Sequence, residues 1–114
     1  MIAFNKSQSG KMGGVRVAED PWTRFIGLLA TDPKRDSRGL WLTPCRSIHT
    51  LGMRYPLDIL FLDRGLGVLK MDLQVKPFCP AVLCRNAHSV LEFFSGYWDS
   101  SLAKVGDQLE MITE

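Results

Sequence analysis

Two carboxylates and a histidine are the residues of this chain best suited to chemistry. Asp58 stands at the start of an apolar run, His49 lies nine positions upstream, and Glu92 stands inside a second apolar run. A half-buried carboxylate can act as a base, a metal ligand or a ligand-orienting acceptor, and histidine exchanges protons near neutral pH. If a barrel-like sheet turned all three toward one cleft, they would form a weak metal site or an acid/base site.

Each of these residues also has a structural interpretation, which the sequence leaves open. Asp58 could accept backbone N–H groups of the preceding turn, Gly52–Pro56, because buried polar groups are usually paired locally. His49 could be an ordinary hydrogen-bonded loop residue. Glu92 could face solvent through the alternation of a strand.

The cysteines predict neither a metal site nor a catalytic thiol. There are three, Cys45, Cys79 and Cys84, and an odd number fits a reducing compartment better than a disulfide framework. The spacing of Cys79 and Cys84 does not match a zinc knuckle, and two histidines exclude a three-histidine zinc site. Cys45 follows a proline and precedes Arg46, a cation that can activate a thiol. Its short spacing to His49 is untypical of spatially assembled Cys/His sites.

Composition is that of an ordinary globular domain, and we expect a single domain over residues 1–114. Hydrophobic residues make up 46% and charged residues 23% of the 114 residues. The net charge of +2 is too small to predict nucleic-acid binding. The first 57 residues carry nine Lys/Arg against four Asp/Glu, so a basic first half that binds nucleic acid is a weaker alternative. No signal peptide or membrane span of ~20 apolar residues is recognisable, which predicts a cytoplasmic protein.

Periodicity predicts a helix near the N-terminus and strands elsewhere. Asp20 and Pro21 are a favourable helix start, and an apolar stripe follows at helical spacing up to the stop before Pro33, formed by Trp22, Phe25, Ile26 and Leu29. We expect a Gly-rich loop over Lys6–Gly14, ahead of a strand at Val15–Ala18.

Later segments are predicted to form short strands. They are Leu40–Leu42, a doubly covered Leu57–Leu62, a half-exposed Leu69–Val75 paired as a hairpin through Asp63–Gly65, Ser89–Phe94, and a final strand at Leu109–Ile112. Ser100–Val105 is predicted as a short helix capped by Asp99 or Ser100, and Gly96–Trp98 as an exposed turn that could form a contact patch. The fold class predicted is mainly β (α+β), a compact jelly-roll-like or barrel-like sheet with one flanking N-terminal helix.

A set of short motifs resembles one known family. They are Arg24 with Gly27-Leu28, Gly39-Leu40, His49-Thr50-x-Gly52-Met53-x-x-Pro56-Leu57-Asp58-x-x-Phe61-x-Asp63, Leu91-Glu92 with Gly96, and Gly106-Asp107. This pattern resembles the bacterial and archaeal domain of unknown function 192 (DUF192), in its His-Thr-x-Gly-Met branch. The resemblance implies a small, mostly β, jelly-roll-like or barrel-like domain and brings no established activity.

The sequence therefore predicts a non-enzymatic binding or accessory module with a polar cleft near the segment His49–Asp58. Its expected ligand-binding residues are Arg24, His49, Thr50, Asp58 and Glu92. The ligand is an unidentified small molecule or protein partner; no cofactor, metal or nucleic acid is predicted. The alternative is a small metal-dependent hydrolase or other enzyme using His49, Asp58 and Glu92, which requires these three side chains to converge in a concave site.

Overall fold

The chain folds mainly into strands. The computed structural model describes residues 1–20, 22–24, 28 and 31–114. The strands in these residues are β1 (Ile2–Asn5), β2 (Gly10–Ala18), β3 (Gly39–Leu42), β4 (Ser47–Ile48), β5 (Leu57–Leu62), β6 (Val68–Val75), β7 (Val82–Leu83), β8 (Ser89–Phe94) and β9 (Leu109–Ile112). A 3₁₀ turn at Ser100–Leu102 precedes β9. The predicted mainly β class is confirmed.

Seven of these strands form one curled sheet, in the order β6-β5-β8-β3-β2-β1-β9, and β4 pairs with β7 separately. Strand β2 joins two parts of the sheet, because its first half pairs antiparallel with β1 and its second half runs parallel to β3. The outermost strands meet at one point, where Gly67 bridges to Gln108 and the amide of Val68 donates to the carbonyl of Asp107 at 2.9 Å. Within the described residues the sheet does not close into a barrel.

The two central strands, β5 and β8, are buried along their whole length. They pair antiparallel from Leu57 opposite Phe94 to Leu62 opposite Ser89. Because side chains alternate between the faces of a sheet, these strands supply two cores. One contains Leu57, Ile59, Phe61, Val90 and Phe94, and the other contains Leu60, Leu62, Leu91 and Phe93. The prediction of a doubly covered central strand is confirmed.

One difference from the prediction concerns the Gly-rich loop expected over Lys6–Gly14. Most of the predicted loop Lys6–Gly14 is strand, because β2 begins at Gly10 and pairs with β1 from there. Pairing with β1 outweighs the low strand propensity of the glycines in this segment. The preceding turn is held by Asn5, whose side-chain oxygen accepts the amides of Ser7 and Gln8 at 3.0 and 3.2 Å.

Helical conformation is present at residues 22–24 and 28. The carboxylate of Asp20 accepts the backbone amide and the hydroxyl of Thr23 at 2.7 and 2.8 Å, as expected of the predicted cap. The predicted helix positions Pro21, Phe25, Ile26 and Leu29 lie outside the described residues. Among the helical residues that are described, none belongs to a helix long and apolar enough to cross a membrane.

Candidate functional site

Asp58 is a fully engaged hydrogen-bond acceptor. One carboxylate oxygen, Oδ1, accepts the backbone amide of Gln74 at 2.8 Å and the hydroxyl of Ser95 at 2.6 Å. The other, Oδ2, accepts the indole N–H of Trp98 at 2.6 Å. The side chain is 4% exposed. Its partners come from the irregular end of β6 and from the segment after β8, rather than from the Gly52–Pro56 turn that the sequence suggested, and together they pin both segments to β5.

The segment Gly96–Trp98 does not present its tryptophan as an exposed patch. The Trp98 ring stacks on Phe93, with 4.2 Å between ring centroids and 14° between ring planes. The stacked ring also donates its N–H to Asp58. Tyr97, by contrast, is exposed. Aromatic stacking and a charge-assisted hydrogen bond therefore fix Trp98 as part of the fold.

Glu92 is paired with Arg24 inside the protein. Glu92 is 1% exposed and Arg24 is 2% exposed. The guanidinium Nε of Arg24 donates to both carboxylate oxygens at 3.0 and 3.1 Å, and its Nη2 lies 2.8 Å from Oε1. Burial raises the pKa of the Glu92 carboxyl, and the positive charge of Arg24 opposes that effect. The solvent-facing interpretation of Glu92 is wrong; the pair holds the helical residues against β8.

Thr50 joins two loops. Its hydroxyl donates to the carbonyl of Lys76 at 2.7 Å and accepts the amide of Cys79 at 2.8 Å, and the residue is fully buried. Its backbone amide donates to the carbonyl of Cys79 at 2.9 Å. The neighbouring His49 accepts the amide of Leu51 at its Nδ1, at 3.2 Å. These contacts fasten the loop before β5 to the loop after β6.

The structure brings together only some of the predicted site residues. Arg24 and Glu92 touch, whereas Asp58 lies opposite Phe93 and Glu92 lies opposite Ile59 in the same strand pair. Residues directly opposite each other share a face and adjacent residues do not, so Asp58 and Glu92 point to opposite faces of the sheet. The hypothesis that both carboxylates face one cleft is wrong. Within residues 1–20, 22–24, 28 and 31–114, no three His, Cys, Asp or Glu side chains are grouped to hold a metal ion.

An open cleft that sequence analysis missed lies at one end of the central strands. It has a volume of about 520 Å³ and is lined by Pro44, Cys45, Arg46, Arg64, Ala87 and His88. Its walls are tied together by the backbone, because the amide of Cys45 donates to the carbonyl of His88 and the amide of His88 donates to the carbonyl of Leu62, both at 2.8 Å. We call it the basic cleft.

A second, smaller cavity adjoins the basic cleft and shares Arg46 with it. Its volume is about 320 Å³, and it is lined by Arg46, Ser47, Leu83 and Arg85. The pairing of β4 with β7 places Ser47 opposite Leu83, and the amide of Cys84 donates to the carbonyl of Arg46 at 3.0 Å. We call it the side cavity.

The arginines of the two cavities form no ion pair with any acid among the described residues. In the described part of the chain, the guanidinium groups of Arg46, Arg64 and Arg85 make no hydrogen bond or ion pair, unlike that of Arg24. Neither lining contains an acidic residue. The acid next to Arg64, Asp63, is occupied in the hairpin turn, where its Oδ1 accepts the amides of Gly65 and Gly67. The result is a concave surface with net positive charge.

The thiol in the basic cleft is held in its neutral form. Cys45 donates its Sγ–H to the carbonyl of Ser47 at 3.2 Å. Burial raises the pKa of the Cys45 thiol, the opposite of the activation that its neighbour Arg46 suggested from sequence. A protonated thiol is a poor nucleophile, so the cleft offers recognition groups rather than an activated sulfur.

Comparison with known proteins places the chain in a family. The model of DUF192, described as an uncharacterized ACR, matches residues 3–111, which is nearly the whole chain. The chain belongs to the DUF192 family. No curated protein matches it in sequence.

Two solved structures share the DUF192 fold of this chain. One is a protein of unknown function from Novosphingobium aromaticivorans, with a TM-score of 0.75 and 20% identity over 96% of this chain and 82% of that chain. The other, from Sinorhizobium meliloti, has been proposed to be a transcription regulator; its TM-score is 0.74, with 21% identity over 96% of this chain and 89% of that chain. At such identities the likeness concerns the fold alone.

Several acids of the DUF192 pattern stabilise turns and loops in this chain by accepting hydrogen bonds. Asp107 resembles Asp58 and Asp63 in this respect: its Oδ2 accepts the side-chain amides of Asn5 at 2.8 Å and Gln8 at 2.7 Å, and the backbone amide of Lys104 at 3.0 Å. Although burial acts to raise it, these hydrogen bonds lower the pKa of Asp107. These three acids of the family motif thus hold turns and loops in this chain.

Proposed function

We propose that this DUF192 protein is a non-enzymatic binding module whose ligand carries an anionic group, held in the basic cleft. The observation that carries the proposal is the pair of unneutralised guanidinium groups, Arg46 and Arg64, on the lining of a 520 Å³ cleft without an acidic residue. Guanidinium groups bind phosphate and carboxylate in a bidentate manner. The volume is within the range of small-molecule sites, roughly 300–1,000 Å³.

Binding rather than catalysis is supported by how the titratable groups are used. The Glu92 carboxylate is paired with Arg24, the Asp58 carboxylate accepts three hydrogen bonds, and the Cys45 thiol donates to a backbone carbonyl. Each of these groups is committed to a contact within the fold. In this proposal they hold the scaffold, as does Thr50, and the ligand lies next to Pro44–Arg46 rather than on the segment His49–Asp58. A cytoplasmic location stays a prediction.

The proposal is tested by titrating isotope-labelled protein with inorganic phosphate and following NMR signals. We expect saturable shifts of the Nε–H signals of Arg46 and Arg64 and of the Cys45 and His88 amides. A dissociation constant of about 1 mM, or about −4 kcal/mol, would be typical of so small a probe. Arg64→Gln should weaken binding, whereas Arg35→Gln, an exposed arginine that lines neither cavity, should leave it unchanged. Shifts that do not saturate, or that Arg64→Gln leaves intact, would refute the proposal.

A further inference from the structure

The basic cleft and the side cavity meet at one side chain, Arg46. Resting on the proposed function, we propose that the ligand is an elongated small molecule with two anionic groups, of the bisphosphate class. One group lies in the basic cleft between Arg46 and Arg64, and the other lies in the side cavity at Arg85. The connector between the two groups passes Arg46.

The charge count supports a second anionic group. A phosphate monoester carries about −1.5 to −2 charges at pH 7. The two positive charges of Arg46 and Arg64 balance one phosphate group in the basic cleft. The positive charge of Arg85 then remains unbalanced, because the lining of the side cavity contains no acidic residue. A second anionic group would neutralise this remaining cation, and a ligand with one group would not.

The backbone keeps the two cavities in a fixed relation. Arg46 directly precedes β4, and β4 pairs with β7, which ends two residues before Arg85. The hydrogen bond from the Cys84 amide to the Arg46 carbonyl closes this pairing at 3.0 Å. Leu83, which is 50% exposed on the side-cavity wall, offers apolar contact to the connector. A ligand spanning both cavities therefore meets a preformed surface, which lowers the entropic cost of binding.

The experiment compares affinities, measured by calorimetry, of a butyl monophosphate and of alkanediol bisphosphates with two-, four- and six-carbon connectors. We expect one bisphosphate to bind at least about tenfold more tightly than the monophosphate, as one additional charge-assisted contact provides. Arg85→Gln should abolish that advantage and leave monophosphate affinity unchanged. Arg64→Gln should weaken both ligands, and Arg35→Gln should change neither.

The outcomes separate the two proposals. If the monophosphate binds and Arg64→Gln weakens it, but no bisphosphate binds more tightly, the two-group ligand is refuted and the anion-binding function stands. A bisphosphate advantage that survives Arg85→Gln also refutes it, because the second group must then lie elsewhere. If neither the monophosphate nor any bisphosphate binds, both proposals fail. Equal melting temperatures of the variants and the parent exclude misfolding as the cause of a loss.

Discussion

Replacing Asp58 by asparagine measures how strongly its carboxylate holds the fold. In Asp58→Asn, the side-chain oxygen can keep the amide of Gln74 and the hydroxyl of Ser95, which both bond to Oδ1. The new amide group then faces the indole N–H of Trp98, so that two donors oppose each other where Oδ2 accepted at 2.6 Å. The substitution therefore removes one charge-assisted hydrogen bond and weakens two more.

The expected cost follows from these contacts. Hydrogen bonds to charged groups contribute about 1.5–3 kcal/mol, and an unsatisfied buried donor costs about 1–3 kcal/mol. We expect Asp58→Asn to lower the free energy of unfolding by about 3 kcal/mol, a large share of the roughly 5–15 kcal/mol typical of a domain. With a urea slope of about 2 kcal/mol/M, the midpoint should fall by about 1.5 M at unchanged slope.

Urea denaturation at neutral pH, followed by circular dichroism, measures this change. Glu110→Gln removes a carboxylate charge at an exposed position of β9, where the side chain makes no hydrogen bond or ion pair with the described residues, and it should shift stability by less than about 0.5 kcal/mol. Trp98→Phe keeps the stacking on Phe93 but removes the N–H that donates to Asp58. Because both substitutions remove the same hydrogen bond, the stability lost in the double variant should be smaller than the sum of the losses in Trp98→Phe and Asp58→Asn. An unchanged or raised midpoint for Asp58→Asn would refute a structural role and restore Asp58 as a functional residue.

Two ion pairs give the remaining predictions. Glu92→Leu leaves the buried Arg24 charge without its partner, so we expect urea denaturation to show a free energy of unfolding lower by about 3–5 kcal/mol. The double variant R24L/E92L should recover part of this loss. If the double variant instead loses as much stability as Arg24→Leu and Glu92→Leu added together, the pairing is contradicted. The hydrogen bond from Arg38 lowers the pKa of Asp36 from 3.8 to about 2. The stability that the ionised Asp36 carboxylate contributes is therefore fully present above the ordinary pKa of 3.8 and is lost as the pH falls toward about 2. Carboxyl NMR titration should show this low midpoint and its return toward 3.8 in Arg38→Gln; a parent midpoint already near 3.8 would refute the pairing.

The strands were largely predictable because their apolar patterns are strong. Ser89–Phe94 and Leu57–Leu62 were predicted with the bounds that the structure shows. The segment Gly10–Gly14 was not, since its glycines resemble a loop and its strand conformation comes from pairing with β1. Pairing partners distant in sequence contribute no local signal, and for that reason the curl of the sheet was also left open between a jelly-roll-like and a barrel-like form.

The candidate site was less predictable than the strands. That Asp58 and Glu92 are special was visible from their apolar surroundings, but the register that turns them to opposite faces depends on the whole sheet. The arginines of the two cavities lie in three separate loops, and no spacing rule connects Arg46, Arg64 and Arg85. Only the fold brings them together, so an excess of basic residues in the first half of the chain could indicate no more than one of them.

The pairing of the first strand with the last one affects the order in which the protein can fold. Residues of β1 lie opposite residues of β9, from Ile2 opposite Ile112 to Asn5 opposite Leu109. Contacts between residues so far apart in sequence form slowly, since a long loop must first be closed. During synthesis the hairpin of β1 and β2 therefore keeps the outer edge of β1 unpaired until β9 has been made, and until then this edge is open to pairing with another chain.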